Sequence, residues 1–91
     1  MPEFLAEAYV ARSVGAAGGL NARDLVRAAG RLSRQGRTVR LTGCIFVPED
    51  EIGLYLFQAQ SADAVRDAAA SCGVRFERVV EAVSGWQSET S

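Results

Sequence analysis

The side chains best able to do chemistry fall in three short stretches: Glu7 and Tyr9, then Arg40, Thr42, Cys44 and Phe46, then Glu81. Within the first two stretches the residues sit two apart, and on a strand that spacing places them on one face. A carboxylate enclosed by apolar groups holds its proton more tightly than one in water and can pass it to a ligand. Glu7 or Glu81 would then serve as base, with Tyr9 or Arg40 polarising a carbonyl, as in a small cofactor-free isomerase or monooxygenase. Cys44 needs a neighbouring base or cation to become a thiolate nucleophile, and Arg40 on its own parity is the local candidate. A buried thiol is the better reading, because free cysteine is among the most buried residue types. For Glu7, Tyr9, Arg40, Thr42 and Glu81, hydrogen bonds across an interface between two copies are the preferred account.

Other constellations are excluded or weakened by composition. The chain has no His, which removes the commonest metal ligand and the usual base at neutral pH. Cys44 and Cys72 form no Cys-x-x-Cys pair, so no metal site is expected; a site of carboxylates with Cys44 is the weakest alternative. No cofactor motif is present. The loop Gly15–Gly19 is neither a dinucleotide fingerprint nor a P-loop and reads as a connection. Glu49, Asp50 and Glu51 lack EF-hand spacing and read as a solvated turn. Arg23, Arg27, Arg31 and Arg34 recur at helical spacing, but the pI near 5.3 and net charge of −1 argue for a solvated face rather than a nucleic-acid surface. Pro2 resembles an N-terminal proline base only in residue type.

The elements that position these residues centre on Thr38–Ala59. Two apolar, β-branched and aromatic runs flank the acidic turn, which is the pattern of a β-hairpin. In the first run Val39, Leu41, Gly43, Ile45 and Val47 share one parity, and Arg40, Thr42, Cys44 and Phe46 share the other. Phe4–Ala11 reads as a first strand, with Phe4, Ala6, Ala8 and Val10 turned toward helices. Residues 12–20 read as a loop. Asn21 as N-cap, Leu20 and Leu25 as a staple and Gly36 as a stop predict a helix over 22–35 with Leu25, Ala28, Ala29 and Leu32 inward. Ser61 and Gly73 bound a second helix over 62–72, and a last strand centres on 78–83. The order β-α-β-β-α-β predicts an α+β, ferredoxin-like sandwich: a four-stranded antiparallel sheet with two helices on one face. Residues 1–84 form that domain and 85–91 a polar tail with Trp86. The other sheet face, with Leu5, Tyr9, Cys44 and Phe46, has no cover in the chain and predicts dimerisation of the α+β barrel type.

The runs Val47-Pro48-Glu49-Asp50, Phe57-Gln58-Ala59, Ser61-Ala62-Asp63-Ala64-Val65-Arg66 and Gly73-Val74-x-Phe76-x-Arg78-Val79-Val80-Glu81 resemble the small bacterial domain-of-unknown-function family forty-two forty-two. The resemblance covers most of the chain and is best after Leu41. It implies a ferredoxin-like fold and dimers like other α+β barrel proteins. Gln60 stands where members tend to have Pro. The family's nickel-binding branch uses histidines, and with none here an imidazole nickel site is chemically excluded. No stretch carries a strong catalytic signature. The expectation is a homodimeric ligand-binding or interaction domain, with Glu7, Tyr9, Arg40, Thr42, Cys44 and Phe46 lining its open face. Its partners would be itself and a small molecule, with neither nucleic acid nor membrane. The absence of a signal peptide or long apolar segment points to the cytoplasm.

Overall fold

The two β-rich runs pair as a hairpin of β2 (Val39–Val47) and β3 (Ile52–Ala59), joined by the turn Pro48–Glu51. The computed structural model describes residues 1–85, so Trp86 and all but the first residue of the expected tail lie outside it. β1 (Glu3–Tyr9) pairs with β3 on one side and β4 (Arg78–Ala82) on the other. Among the described residues the sheet has four antiparallel strands in the order β2-β3-β1-β4. Three helices accompany it: α1 (Arg12–Ala16), α2 (Ala22–Arg34) and α3 (Ala62–Ser71). The fold is α+β.

One sheet face and the inner stripes of α2 and α3 make the core. Phe4, Ala6 and Ala8 of β1 and Tyr55, Phe57 and Ala59 of β3 meet Leu25, Ala28, Ala29 and Leu32 of α2 and Ala64, Val65, Ala68 and Ala69 of α3. The alanines let both helices sit close to the sheet, while the rings of Tyr55, Phe57 and Phe76 fill the space between. Phe76 stands 5.2 Å from Tyr55 and 5.9 Å from Phe57, ring to ring, in the tilted and edge-on arrangements that aromatic quadrupoles favour. Each such ring contributes about 1.5–3 kcal/mol through burial.

Local signals set the helix ends. Ser61 Oγ accepts the Ala64 N–H, capping α3 as expected. At the end of α2, Gly36 N–H donates to Ser33 O (3.1 Å) and Arg37 N–H to Leu32 O (2.9 Å), a Schellman motif. α3 ends the same way, with Gly73 N–H to Ala70 O (3.2 Å) and Val74 N–H to Ala69 O (2.9 Å). Gly36 and Gly73 have φ of 87° and 75°, which a side chain would strain. Asn21 precedes α2 as expected, but in a left-handed conformation with no side-chain cap bond.

Residues 12–20, expected as a loop, contain α1. This helix buries none of its own residues and has glycine at its fourth position, so neither propensity nor amphipathicity announces it. Contacts elsewhere in the chain hold it. Arg12 N–H donates to Glu51 Oε2 (2.7 Å), Arg12 Nε–H to Pro48 O (3.3 Å), and the Phe46 ring lies against Gly15. Glu51, expected in a solvated turn, therefore caps α1 across 39 residues of sequence.

The hairpin departs from simple alternation. Leu41 pairs with Phe57, yet Gly43 rather than Thr42 pairs with Leu56. Thr42 is the extra residue of a β-bulge, and its hydroxyl donates to Leu56 O at 3.1 Å. A one-residue insertion exchanges the faces of everything beyond it. Val39 and Leu41 face the helices before the bulge, and Cys44 and Phe46 do so after it, opposite Tyr55 and Gly53. Cys44 and Phe46, expected on the open face, are thus on the covered one. Ile45 and Val47 take their place outside.

Candidate functional site

The open sheet face is built from the register. Its first row is Arg40 on β2, Gln58 on β3, Glu3 on β1 and Ala82 on β4. The next is Gly43, Leu56, Leu5 and Val80, followed by Ile45, Leu54, Glu7 and Arg78, and then Val47, Ile52 and Tyr9. An apolar centre therefore lies between a polar row and a row that ends in a Glu-Arg cross-strand pair. Ile45, Leu56 and Tyr9 are 57%, 40% and 64% exposed. No helix covers this face among the described residues.

Of the expected site residues, Glu7, Tyr9 and Arg40 share the face, with Thr42 at the bulge on its margin. Glu7 and Tyr9 are neighbours along β1. Arg40 lies two strands away and in the row of Glu3, so about 16 Å separates its Cα from that of Glu7, from a strand spacing of ~4.8 Å and a rise of ~3.4 Å per residue. Within one chain Arg40 and Glu7 cannot act on the same atom. Glu81, the other carboxylate proposed as base, pairs with the core residue Phe4 and so belongs to the helix-side parity of edge strand β4. Cys44 and Glu7 lie on opposite faces, which separates the parts of a carboxylate-thiol metal site. Among the described residues no three Cys, Asp or Glu side chains converge to hold a metal ion.

The site residues missed in the sequence are Glu3, Gln58 and Arg78. The signal for Glu3 and Arg78 was present, since each alternates with apolar residues on the parity of Leu5 and of Val80. Glu3 accepts a hydrogen bond from Ser84 Oγ at 2.7 Å, which anchors the end of β4. At the Tyr9 end, Glu7, Tyr9, Asp50, Glu51 and Glu77 border an acidic cleft of about 150 Å³.

On the covered face Cys44 touches chemistry of another kind. It sits opposite Tyr55, which is 1% exposed and donates its hydroxyl to Leu20 O at 2.8 Å. Burial raises the Tyr55 pKa above its ordinary 10.0, and the charge of Cys44 adds to the rise. The hydroxyl is a structural donor that tethers the entry to α2. Both cysteines are free thiols.

No family model, no curated protein and no solved structure matches this chain. No helix among the described residues is long and apolar enough to cross a membrane.

Proposed function

We propose that this chain is a ferredoxin-like domain, akin to family forty-two forty-two, that works in the cytoplasm as a homodimer through its open sheet face and there binds a small molecule or a partner. The observation that carries this reading is the apolar patch of exposed Ile45 and Leu56 with half-buried Leu5 and Leu54, on a sheet face that no element covers among the described residues. A contiguous apolar patch of that kind marks an interface on most soluble proteins. The strand order β2-β3-β1-β4, with α2 and α3 on one side, supports the ferredoxin-like assignment.

Size and charge favour a second copy as the cover. Four strands at ~4.8 Å and seven residues at ~3.4 Å give a face of about 19 by 24 Å. Two such faces stacked bury roughly 900 Å² in projection, at the low end of the range for biological interfaces. The face carries Glu3 and Glu7 on its central strand and Arg40 and Arg78 on its edges, so its charges cancel and two copies meet without net repulsion.

Light scattering at micromolar concentration tests the dimer: the expected mass is twice 9.7 kDa. Leu56→Glu and Ile45→Glu are expected to give folded monomers with unchanged circular dichroism, because both side chains are exposed in the single chain. A wild-type monomer at that concentration would sink the reading.

A further inference from the structure

A second concavity opens at the Tyr9 end of β1 and runs to the helix side of the sheet, next to the acidic cleft. It has a volume of about 400 Å³, within the range of small-molecule sites. The sequence leaves it unfilled for a local reason. Ala8 of β1 points inward opposite Gly53 of β3, so this pair brings no large side chain to the helices, and the Tyr55 ring of β3 stands beside the gap. The floor and walls are Ala8, Val10, Val14, Val74 and the Tyr55 ring. Tyr55 is held in place by its bond to Leu20 O. The exposed lining carries polar Asn21, Arg75 and Glu77 beside the apolar Val14 and the Tyr9 ring. Among the described residues neither Arg75 nor Glu77 forms an ion pair, and the Asn21 side chain makes no cap bond to α2.

An apolar hollow bordered by one unpaired cation, one unpaired carboxylate and one free amide has a definite complement. A plain carboxylic acid would meet Arg75 but be repelled by Glu77, and a plain amine would meet the reverse. A zwitterion with an apolar body satisfies both charges and the hollow together. We propose that this cavity binds an apolar α-amino acid, its carboxylate toward Arg75, its ammonium toward Glu77 and its side chain against Val10, Val14, Val74 and the Tyr55 ring. The site goes beyond the dimer reading and does not require it, because Tyr9, at the end of β1, is the one residue of the open-face rows among its lining.

The test uses the full chain with L-leucine and L-phenylalanine as probes, read by titration calorimetry and by thermal shift. 4-Methylpentanoic acid, which lacks the amine, and 3-methylbutylamine, which lacks the carboxylate, are the controls. The expected result is binding of the amino acids, with each control at least about tenfold weaker, the loss of one charge-assisted hydrogen bond. Arg75→Ala is expected to weaken leucine by a similar factor. Val14→Trp, at a position 49% exposed, is expected to fill the cavity and abolish binding while the circular dichroism stays native. No heat and no thermal shift with either amino acid at millimolar concentration overturns the proposal, as does equal binding by the two controls. Light scattering on the same samples reports the oligomer separately, so a failed cavity and a failed dimer are told apart.

Discussion

At Gly15 the missing side chain is a packing requirement. A Cβ built there would lie 2.3 Å from the Phe46 ring, with two more ring atoms at 2.5 Å. Gly15→Ala must push α1 off the hairpin or turn the ring out. The expected cost is about 1–3 kcal/mol in urea denaturation, and Phe46→Leu as a second change should recover part of it. Tyr55 gives a pH-dependent prediction. Its folded pKa lies above the unfolded 10.0, so the stability tied to its protonated form is complete below pH 10 and drains away as pH rises through the folded value. Tyr55→Phe should cost roughly 1 kcal/mol at neutral pH, for the lost bond to Leu20 O, and should flatten the decline in denaturation midpoint above pH 10. A variant that declines as steeply as wild type would show that Tyr55 does not carry the effect.

At the level of elements, glycines divide into two kinds by what surrounds them. Gly36 sits at φ 87°, and alanine there is expected to cost about 1–2 kcal/mol. Gly30 sits inside α2, where a Cβ would meet nothing closer than Arg34 Nη1 at 3.5 Å. Gly30→Ala should therefore stabilise by about 0.5–1 kcal/mol, the reverse sign for the same substitution. Thermal melts of the two variants decide the matter. The termini of α2 and α3 were legible in the sequence because their signals are local: Ser61 bonds three residues ahead, and Gly36 and Gly73 close turns beside themselves. The inward stripes Phe4-Ala6-Ala8 and Leu25-Ala28-Ala29-Leu32 were legible because periodicity is local too. The bulge at Thr42 was not. It exists only in the pairing of β2 with β3, and nothing in TVRLTGCIFV says which residue will be skipped. That one omission moved Cys44 and Phe46, two of the six residues expected to line the open face, to the wrong face. α1 escaped for a related reason, since its support comes from Glu51, Pro48 and Phe46, more than thirty positions away. Its C-terminal glycine, Gly18, was the one local sign, with φ 83° and the same paired bonds from Gly18 and Gly19 that close the other two helices.

For the whole molecule, the proposed dimer would link association to stability. A dimer that forms only from folded chains makes the melting temperature rise with protein concentration, and a monomer does not. Melts over a hundredfold concentration range should therefore show a rise for wild type and none for Leu56→Glu; a flat wild-type series would count against the dimer. Arg37 and Asp67 form an ion pair that ties the exit of α2 to α3, and Ser33 both donates to and accepts from the Val39 backbone, so the helix layer is fastened to itself and to β2.

The Glu51 cap has a consequence for how the protein opens. α1 has no buried residues of its own, and its attachments run to Pro48, Glu51 and Phe46. It cannot open independently of the hairpin tip, nor the tip close fully without it. In hydrogen-exchange measurements the amides of Val10, Gly15 and Gly19 should exchange as one cooperative unit with the tip, at a free energy below that of the β1–β3 ladder. Replacing Glu51 with Ala should speed exchange across α1 while leaving Phe57 and Tyr55 protected. The smallest helix would then mark the edge of the first region to breathe.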